Sequence, residues 1–160
     1  MAQAGDRLSE LYDHHSPGAF RLAYLLTGDA SAAKEIVQDA FVKICGRFHD
    51  LKDPASFGGY LYRTVTNLSR SHGRWLGRRD RAMGRLPRHD IAPDPGLEGR
   101  DALWRALLEL PVRQRAAIFF RYYEDLTEAQ TADAMGTSIG AVKSLTTRAM
   151  KNLREVMGDE

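Results

Sequence analysis

The segment 126–153 carries start and stop signals for two short helices joined by a tight turn. Residues 127–130, Thr-Glu-Ala-Gln, have the pattern of a capping box, in which the threonine hydroxyl and the glutamine side chain each accept a hydrogen bond from the other residue's backbone N–H. Gly136 follows where a helix can end in a left-handed residue, and Ser138 can cap the next helix. These signals predict two helices that cross steeply around a glycine turn, which is the helix-turn-helix motif.

The second helix of this motif is predicted to bury one side and to expose the other. Its apolar residues recur at helical spacing, and the buried stripe is expected to contain Val142, Leu145, Ala149 and Leu153. Short hydroxyls and long cations on the exposed side can reach bases and phosphates in a major groove. The candidate DNA contacts are Lys143, Ser144, Thr147, Arg148 and Lys151. An ordinary helical hairpin with a solvated basic face is the alternative, but the coincidence of caps, glycine and spacing favours DNA binding.

The N-terminal half is predicted to begin with two helices. Apolar residues within 8–26 form a partial helical face that Pro17 and Gly18 interrupt, and the Thr-Gly-Asp sequence at 27–29 ends it. The second and clearest helix has apolar residues at steps of three and four over residues 36–48. Cys45 lies on that apolar stripe and is therefore predicted to be a buried structural thiol.

A third helix is predicted to begin after Ser56, a plausible N-cap residue. Its apolar residues repeat at helical spacing over 57–68 and include Tyr60, while its other faces are polar and partly basic. The segment 49–55 before it contains polar turn formers and Pro54, which predicts a short exposed loop.

A tract rich in glycine, proline and arginine divides the chain after Trp75. It predicts a flexible linker over 77–96 between a first helical domain at 8–76 and a second at 97–157. Helical spacing returns at Leu97, and another helix is expected to start near Pro111, which is tolerated in a first helical turn.

The second domain has its own candidate core residues. Trp104 is predicted to be one of them, and Ile118, Phe119 and Tyr122 are predicted to form an apolar face on the helix that starts near Pro111. Alternating runs of β-branched residues are absent from the sequence, so no strands are assigned. The expected fold class is all-α, with two small helical domains.

The formal net charge of +2 conceals an uneven distribution of charge. Residues 60–90 contain eight arginines against two aspartates, and residues 134–154 contain no acidic residue. Two basic tracts are what two contacts with one nucleic acid require. For the arginines over 74–88, both electrostatic tracking of a DNA backbone and a merely solubilising linker remain open interpretations.

Several other classes of function are disfavoured by the sequence. A single cysteine cannot form an internal disulfide, and the adjacent pair His14 and His15 lacks the i, i+4 spacing of a metal site, so no metal is expected. The N-terminal residues do not resemble a signal peptide, and no apolar run is long enough to span a membrane. A cytoplasmic protein without membrane insertion is therefore expected. No arrangement typical of catalysis was found, so neither enzymatic activity nor a cofactor is predicted.

Two longer stretches carry a resemblance to a known family. "DASAAKEIVQDAFVKICGRF" followed by "SFGGYLYRTVTNLSRSHGRW" is similar to a sigma-2 domain, and "LPVRQRAAIFFRYYEDLTEAQTADAMGTSIGAVKSLTTRAMKNLR" is similar to a sigma-4 domain. Together, in this order, they resemble the alternative sigma factors of the extracytoplasmic-function (ECF) group in the sigma-70 family, the promoter-recognition subunits of bacterial RNA polymerase. The resemblance implies a helical factor that binds core polymerase, recognises promoters and initiates transcription.

The resemblance also implies which residues contact the polymerase. The helix with Glu35, Val37, Gln38, Asp39 and Phe41 matches the segment that binds the clamp coiled coil of the largest subunit. For Val37 and Phe41 a simple core position is an equally good interpretation, because both lie on the predicted buried stripe. The flap of the second subunit and an anti-sigma factor are further partners that the resemblance implies, beside promoter DNA.

The segment 49–55 matches the family's specificity loop, which holds a base flipped out of the −10 element. The residues of this loop taken as candidates are His49, Asp50, Leu51 and Lys52. The following helix is implied to lie beside the same DNA with Tyr60, Arg63, Asn67 and Arg70. A polar pocket backed by cations can offset the cost of unstacking a base. Taken singly, each of these residues can equally be an ordinary surface polar group.

In the sigma-4 match, the residues from Lys143 to Arg148 correspond to the part that reads the −35 element. Family members often carry arginine after the Val-Lys-Ser sequence, whereas this chain has Leu145 followed by Thr146. The −35 preference therefore cannot be transferred, and the promoter sequence, the activating signal and the identity of an anti-sigma factor stay open. The alternatives are a conventional repressor or activator, an interaction module that does not touch DNA, and a hydrolase of unfamiliar arrangement.

Overall fold

The computed structural model describes residues 2–47, 57–83 and 101–158, with side chains described for 5–47, 57–73 and 102–158. All regular elements within these residues are helical, which confirms the predicted all-α class. In chain order they are α1 (Ala2–Thr27), α2 (Ala30–Cys45), α3 (Phe57–Met83), α4 (Asp101–Glu109), α5 (Val112–Ile118), a π-helical turn (Phe119–Tyr123), α6 (Glu128–Met135) and α7 (Ile139–Met157).

The turn between α1 and α2 forms where the sequence predicts it. Gly28 has a φ of 71°, in the left-handed region that glycine enters without steric cost, and its N–H donates to the Tyr24 carbonyl at 2.7 Å. The carboxylate of Asp29 then accepts from the N–H groups of Ser31 and Ala32 at the start of α2. One glycine and one cap residue therefore fix the angle between the first two helices.

Helix α1 continues through Pro17, so the break in the apolar face at Pro17 and Gly18 does not end the helix predicted over 8–26. Pro17 is exposed, so water can satisfy the carbonyl one turn earlier, which the proline leaves without its helical donor. Gly18 has a different purpose, because a Cβ added there would lie 2.5 Å from Tyr62 Oη and 3.0 Å from Glu124 Oε1. The glycine permits close approach of α1 to two other elements.

The apolar stripe of α2 packs into a core that α1 and α3 complete. Its centre is Phe41, whose ring lies 4.5 Å from that of Tyr12 and 5.7 Å from that of Phe57 between centroids. Cys45 is the last residue of α2 and is exposed, so the prediction of a buried thiol is wrong. The stripe ends one residue earlier, at the buried Ile44.

Helix α3 runs on to Met83, into the region where the flexible linker 77–96 is predicted. The linker prediction is therefore wrong for residues 77–83. Arginines are good helix formers, and extending an existing helix needs no new nucleus, so an arginine-rich sequence can continue a helix that has already formed. Residues 84–96 of the predicted linker, and its side chains from Arg78 onward, lie outside the described residues.

The helix after Pro111 widens into a π-helical turn at Phe119–Tyr123. A π turn contains one residue more than an α turn, which rotates the following side chains away from the α-helical register. Phe119 and Phe120 are consequently both buried, whereas Tyr122 is 57% exposed. The prediction that Ile118 and Phe119 are core residues is confirmed, and the prediction for Tyr122 is wrong.

The helix-turn-helix forms as its local signals predict. The capping box is present, with the Gln130 N–H 3.1 Å from Thr127 Oγ1 and the Thr127 N–H 2.9 Å from Gln130 Oε1. Gly136 ends α6 with a φ of 65°, and the Ser138 hydroxyl accepts from the Ala141 N–H at 3.1 Å. Each end of the turn therefore satisfies its backbone groups with residues from within the motif.

The inner side of α7 packs against the rest of the C-terminal half. Val142 and Ala149 are fully buried, and Leu145 and Leu153 pack partly buried at the edge of the core, which confirms the predicted stripe. Trp104 is 7% exposed and belongs to the same core, as the sequence predicts.

The two halves of the chain pack on each other rather than standing apart. Helix α1 contacts α4 and α5, and α3 contacts α6, so one apolar core extends across both halves. Arg115, only 5% exposed, donates from Nη1 to the Leu25 carbonyl and from Nε to the Leu110 carbonyl, each at 2.7 Å. Burial lowers the pKa of this guanidinium to about 10. A buried cation thus joins the C-terminal end of α1 to the turn before α5.

The left-handed conformation of Gly136 leads to a stability prediction. A Cβ at Gly136 would meet no atom within 4 Å, so Gly136→Ala changes only the backbone preference. We expect this variant to lower the free energy of unfolding by about 1–2 kcal/mol. Gly140 also has open space around it but lies within α7, so Gly140→Ala is expected to raise that free energy by about 0.5 kcal/mol. Urea unfolding of both variants tests this, and equal effects would contradict the assigned turn.

Candidate nucleic-acid interface

The outer side of α7 is a polar and basic face. All five predicted DNA contacts on this helix are exposed: Lys143, Ser144, Thr147, Arg148 and Lys151. They occupy successive turns on one side, because residues three and four apart are neighbours on a helix. The amide of Asn152 on the inner side donates to Gln114 Oε1 at 2.9 Å, which holds α7 on α5 and points the basic face outward.

One apolar residue at the start of α7 was not singled out from the sequence. Ile139 is the first residue of α7 and is 46% exposed, although it lies three residues before Val142 and would fit the buried stripe. It lies one turn before Lys143 on the same side of the helix. The N-terminal residues of a recognition helix reach base edges. The position of Ile139 at the start of the predicted helix could therefore have marked it as a candidate contact from the sequence alone.

A second polar face lies on α3. Tyr60, Arg63, Asn67 and Arg70 are exposed and are spaced so that they form one stripe along the helix. Tyr60 is 54% exposed, although it also fits the apolar repeat of this helix. The structure therefore brings together the four predicted contacts of α3, whereas the loop residues His49, Asp50, Leu51 and Lys52 lie outside the described residues.

One end of this stripe approaches the helix-turn-helix. Arg70 Nη2 donates to the carbonyl of Met135, the last residue of α6, at 3.3 Å. The C-terminal end of a helix carries partial negative charge, which favours a cation there. The α3 stripe and the turn before the α7 face are consequently neighbours in this structure.

A third polar face lies on α2. Its exposed residues differ from the five residues of this helix that were predicted to contact the polymerase. Glu35, Gln38 and Asp39 are exposed on one side of the helix. Val37 and Phe41 are 5% and 6% exposed and belong to the core, so their side chains are not on the surface of this structure. Val42, which was not predicted, is 72% exposed and continues the row of exposed residues at the next turn. It was missed because the apolar pattern alone does not distinguish a valine beside the stripe from one in it.

His14 and His15, the adjacent pair considered as a metal site, are neighbours in the structure. The rings of His14 and His15 lie 4.7 Å apart, and burial, with a smaller contribution from His14, lowers the pKa of His15. Within the described residues, no group of three or more histidine, cysteine or acidic side chains could hold a metal ion. Among the same residues, no helix has the length and hydropathy needed to cross a membrane.

Two models of protein families match the chain. The model of sigma-70 region 2 matches residues 11–79, and the model of sigma-70 region 4 matches residues 100–153. The ECF RNA polymerase sigma factor SigE of Mycolicibacterium smegmatis is 31% identical over 157 residues, which are 92% of this chain and 60% of that protein. The chain thus spans less than two thirds of the length of this relative. SigM of Mycobacterium tuberculosis is 30% identical over 161 residues, with coverage of 97% and 80%.

Solved structures share the fold. The sigma factor RpoE of Bartonella quintana, solved in complex with the anti-sigma factor NepR, superposes with a TM-score of 0.79 at 22% identity and 98% coverage of both chains. CnrH, solved in complex with the cytosolic domain of CnrY, gives a TM-score of 0.67 at 20% identity, with 94% and 86% coverage. At these identities the similarity shows a shared helical fold. In both comparisons it covers nearly the whole chain.

The exposed cations of α7 lead to a binding prediction. We expect Arg148→Ala to weaken binding to duplex DNA and to reduce the slope of log affinity against log salt by about 0.9, as for loss of one phosphate contact. Fluorescence anisotropy over a series of salt concentrations measures both quantities. Arg105→Ala, which removes an exposed cation from α4, is the matched control and should leave the slope unchanged. If the slope for Arg148→Ala equals that of the wild-type protein, Arg148 does not contact the DNA.

Proposed function

The chain belongs to the ECF group of the sigma-70 family, and we propose that it is an alternative sigma factor that binds core RNA polymerase and directs promoter recognition and transcription initiation. The single observation that carries the proposal is the presence of three exposed polar faces, on α2, α3 and α7, around one apolar core. A factor that must contact one protein surface and two DNA elements needs three such faces. Its role is regulatory binding rather than catalysis, and it acts in the cytoplasm, where RNA polymerase works.

We assign the −35 element to the basic face of α7. Its cations suit phosphates and guanine edges, and its hydroxyls suit either kind of base. Ile139 at the head of the helix adds an apolar group that suits the methyl of thymine. Because the family's usual arginine is replaced by Leu145, which is half-buried, this face presents one cation fewer, and Ile139 becomes a candidate determinant of sequence preference.

The −10 element is assigned to the stripe on α3 together with residues 49–52. Exposed aromatic and cationic side chains along one helix can stack on unpaired bases and follow a single strand. Tyr60 provides the ring, and Arg63 and Arg70 provide the positive charge. In this role the N-terminal half, proposed as residues 8–76, stabilises an opened strand without performing chemistry on a base.

The polymerase contact is assigned to the exposed row on α2. Glu35, Gln38 and Asp39 offer charge and hydrogen bonds, and Val42 supplies the apolar centre that Val37 and Phe41 cannot supply from the core. A buried apolar anchor with a polar rim is the usual anatomy of a protein interface. The clamp coiled coil of the largest subunit is the proposed partner of this row, and the flap of the second subunit is the proposed partner of the C-terminal half, residues 97–157.

An anti-sigma factor is a further proposed partner. One solved structure of the same fold, RpoE with NepR, is a complex with an anti-sigma factor, and another, CnrH, is a complex with the cytosolic domain of CnrY. Residues 84–96 are proposed to act as the linker between the halves, which sets how far apart the two DNA contacts can lie.

Run-off transcription with purified core polymerase tests the function. Addition of the protein is expected to yield discrete transcripts from a subset of genomic promoter fragments, while core alone yields none. A conventional repressor would select one operator sequence without core, whereas a sigma factor selects its promoters in the complex with core. A gel-shift assay of the protein alone on the same fragments, with an excess of unrelated competitor DNA, therefore separates the two classes. Failure both to associate with core and to direct initiation from any fragment would refute the sigma assignment.

Two valines on α2, one exposed and one buried, allow a loss of core binding to be distinguished from a loss of stability. Val42→Ala should weaken association with core several-fold and leave the free energy of unfolding nearly unchanged, because Val42 is exposed. Val37→Ala should lower the free energy of unfolding by about 2 kcal/mol, because the residue is buried. Pull-down with core and urea unfolding measure the two effects. Undiminished core binding by Val42→Ala would exclude it from the interface.

A further inference from the structure

The first turn of α3 contains two adjacent glycines, Gly58 and Gly59, and leads directly into Tyr60. Tyr60 is the aromatic member of the face that we assign to the −10 element. Glycine loses more backbone entropy in a helix than any other residue, so a turn with two glycines is intrinsically weak. Contacts with other residues must therefore hold Tyr60 where the structure places it.

The residues on either side of the glycine pair are each held by a contact. Phe57 is fully buried, and its ring lies 5.7 Å from that of Phe41 on α2 between centroids, so the core anchors the start of the helix. On the other side, Thr64 Oγ1 donates to the Tyr60 carbonyl at 2.8 Å. These two contacts leave the glycine pair itself to be supported by another element.

That element is α1, which contributes His15. Its ring lies 5.5 Å from that of Phe57 between centroids. A Cβ added to Gly58 would lie 3.0 Å from Cε1, 3.4 Å from Nδ1 and 3.8 Å from Nε2 of His15. Three ring atoms at these distances show that the imidazole lies against the backbone of the first turn, in the space that a side chain at position 58 would occupy.

The two glycines differ in their surroundings. A Cβ at Gly58 would force the His15 ring or the turn to move, whereas a Cβ at Gly59 would meet no atom within 4 Å. Position 58 therefore needs glycine so that His15 can approach, and position 59 has room for a side chain. This difference between adjacent residues marks the His15 contact as a specific one.

The environment of His15 favours an uncharged ring. Burial, with a smaller contribution from His14, lowers the pKa of His15. The first N–H groups of α3 carry partial positive charge, which also disfavours a cation beside them. The α3 residues next to the ring, Phe57 and Gly58, are themselves uncharged. His15 consequently supports the turn as a neutral packing group.

We propose that His15 is a positioning residue for promoter opening, because its ring holds the first turn of α3 so that Tyr60 is presented to the unpaired −10 strand. The inference rests on the proposed sigma function and deepens it. Stacking of a base on an aromatic ring depends on where that ring is placed. His15 acts through Tyr60 and does not itself contact the DNA.

The glycine pair provides a test with a matched control. The protein is assembled with core polymerase on a promoter fragment selected by run-off transcription, and opening is measured as permanganate reactivity of thymines in the −10 region. Gly58→Ala should reduce opening several-fold at unchanged core affinity, because the added methyl displaces His15 from the turn. Gly59→Ala should leave opening unchanged. Alanine favours a helix more than glycine at both positions, so a turn that needed only helical stability would respond alike to both substitutions.

Substitutions of His15 test the partner of the contact. His15→Ala should also reduce opening several-fold, and adding Gly58→Ala to it should cause no further loss, because the ring that the methyl displaces is gone. His15→Phe keeps an uncharged ring and should open the promoter at close to the wild-type level. In a Tyr60→Ala background, Gly58→Ala should likewise cause no further loss, because the ring acts through Tyr60.

The outcomes distinguish this inference from the function on which it rests. Equal effects of Gly58→Ala and Gly59→Ala on opening would overturn the positioning role, and so would additive effects of His15→Ala and Gly58→Ala. A loss of core affinity in proportion to the loss of opening would assign His15 to general stability instead, which urea unfolding of each variant checks. If His15→Ala does not fold, the glycine pair decides alone. Failure of the wild-type protein to associate with core would refute the sigma function before any substitution is made.

Discussion

The buried guanidinium of Arg115 fixes the relative position of the two halves of this chain. A buried cation is tolerated only where its N–H groups meet acceptors, and here the acceptors are carbonyls at the end of α1 and in the turn before α5. Because α7 packs on α5 and α5 packs on α1, the orientation of the basic face relative to the N-terminal half follows from this contact. The polar contacts on α3 add to an arrangement that Arg115 already defines.

Features that depend on neighbouring residues could be predicted from the sequence. The cap at Asp29, the left-handed Gly136 and the capping box of Thr127 and Gln130 each need only residues within a few positions, so their signals are complete in the local sequence. The buried stripes of α2 and α7 follow from helical spacing in the same way. This explains why the all-α fold and the exposed basic face of α7 were predicted.

Features that depend on distant partners could not be predicted. Pro17 is accommodated because α1 packs on α2 and α3 through other residues and leaves the proline exposed to water, and Tyr122 is exposed because the chain widens into a π turn. Apolar spacing also assigns Ile139 to the core and cannot tell the exposed Val42 from its buried neighbours. Nothing local marks Arg115, one of many arginines, as the one that joins the halves. The contact of Arg115 that positions the candidate site therefore cannot be recognised from sequence patterns.

The capping of the helix-turn-helix by its own residues has a consequence for how such a protein can diversify. The backbone groups at both sides of the turn are satisfied by Thr127, Gln130 and Ser138, and none of these contacts uses the exposed side of α7. Random changes on that side therefore alter recognition at little cost to folding. Substitutions on that side can therefore change which bases are contacted, while the caps keep the scaffold that presents the contacting residues.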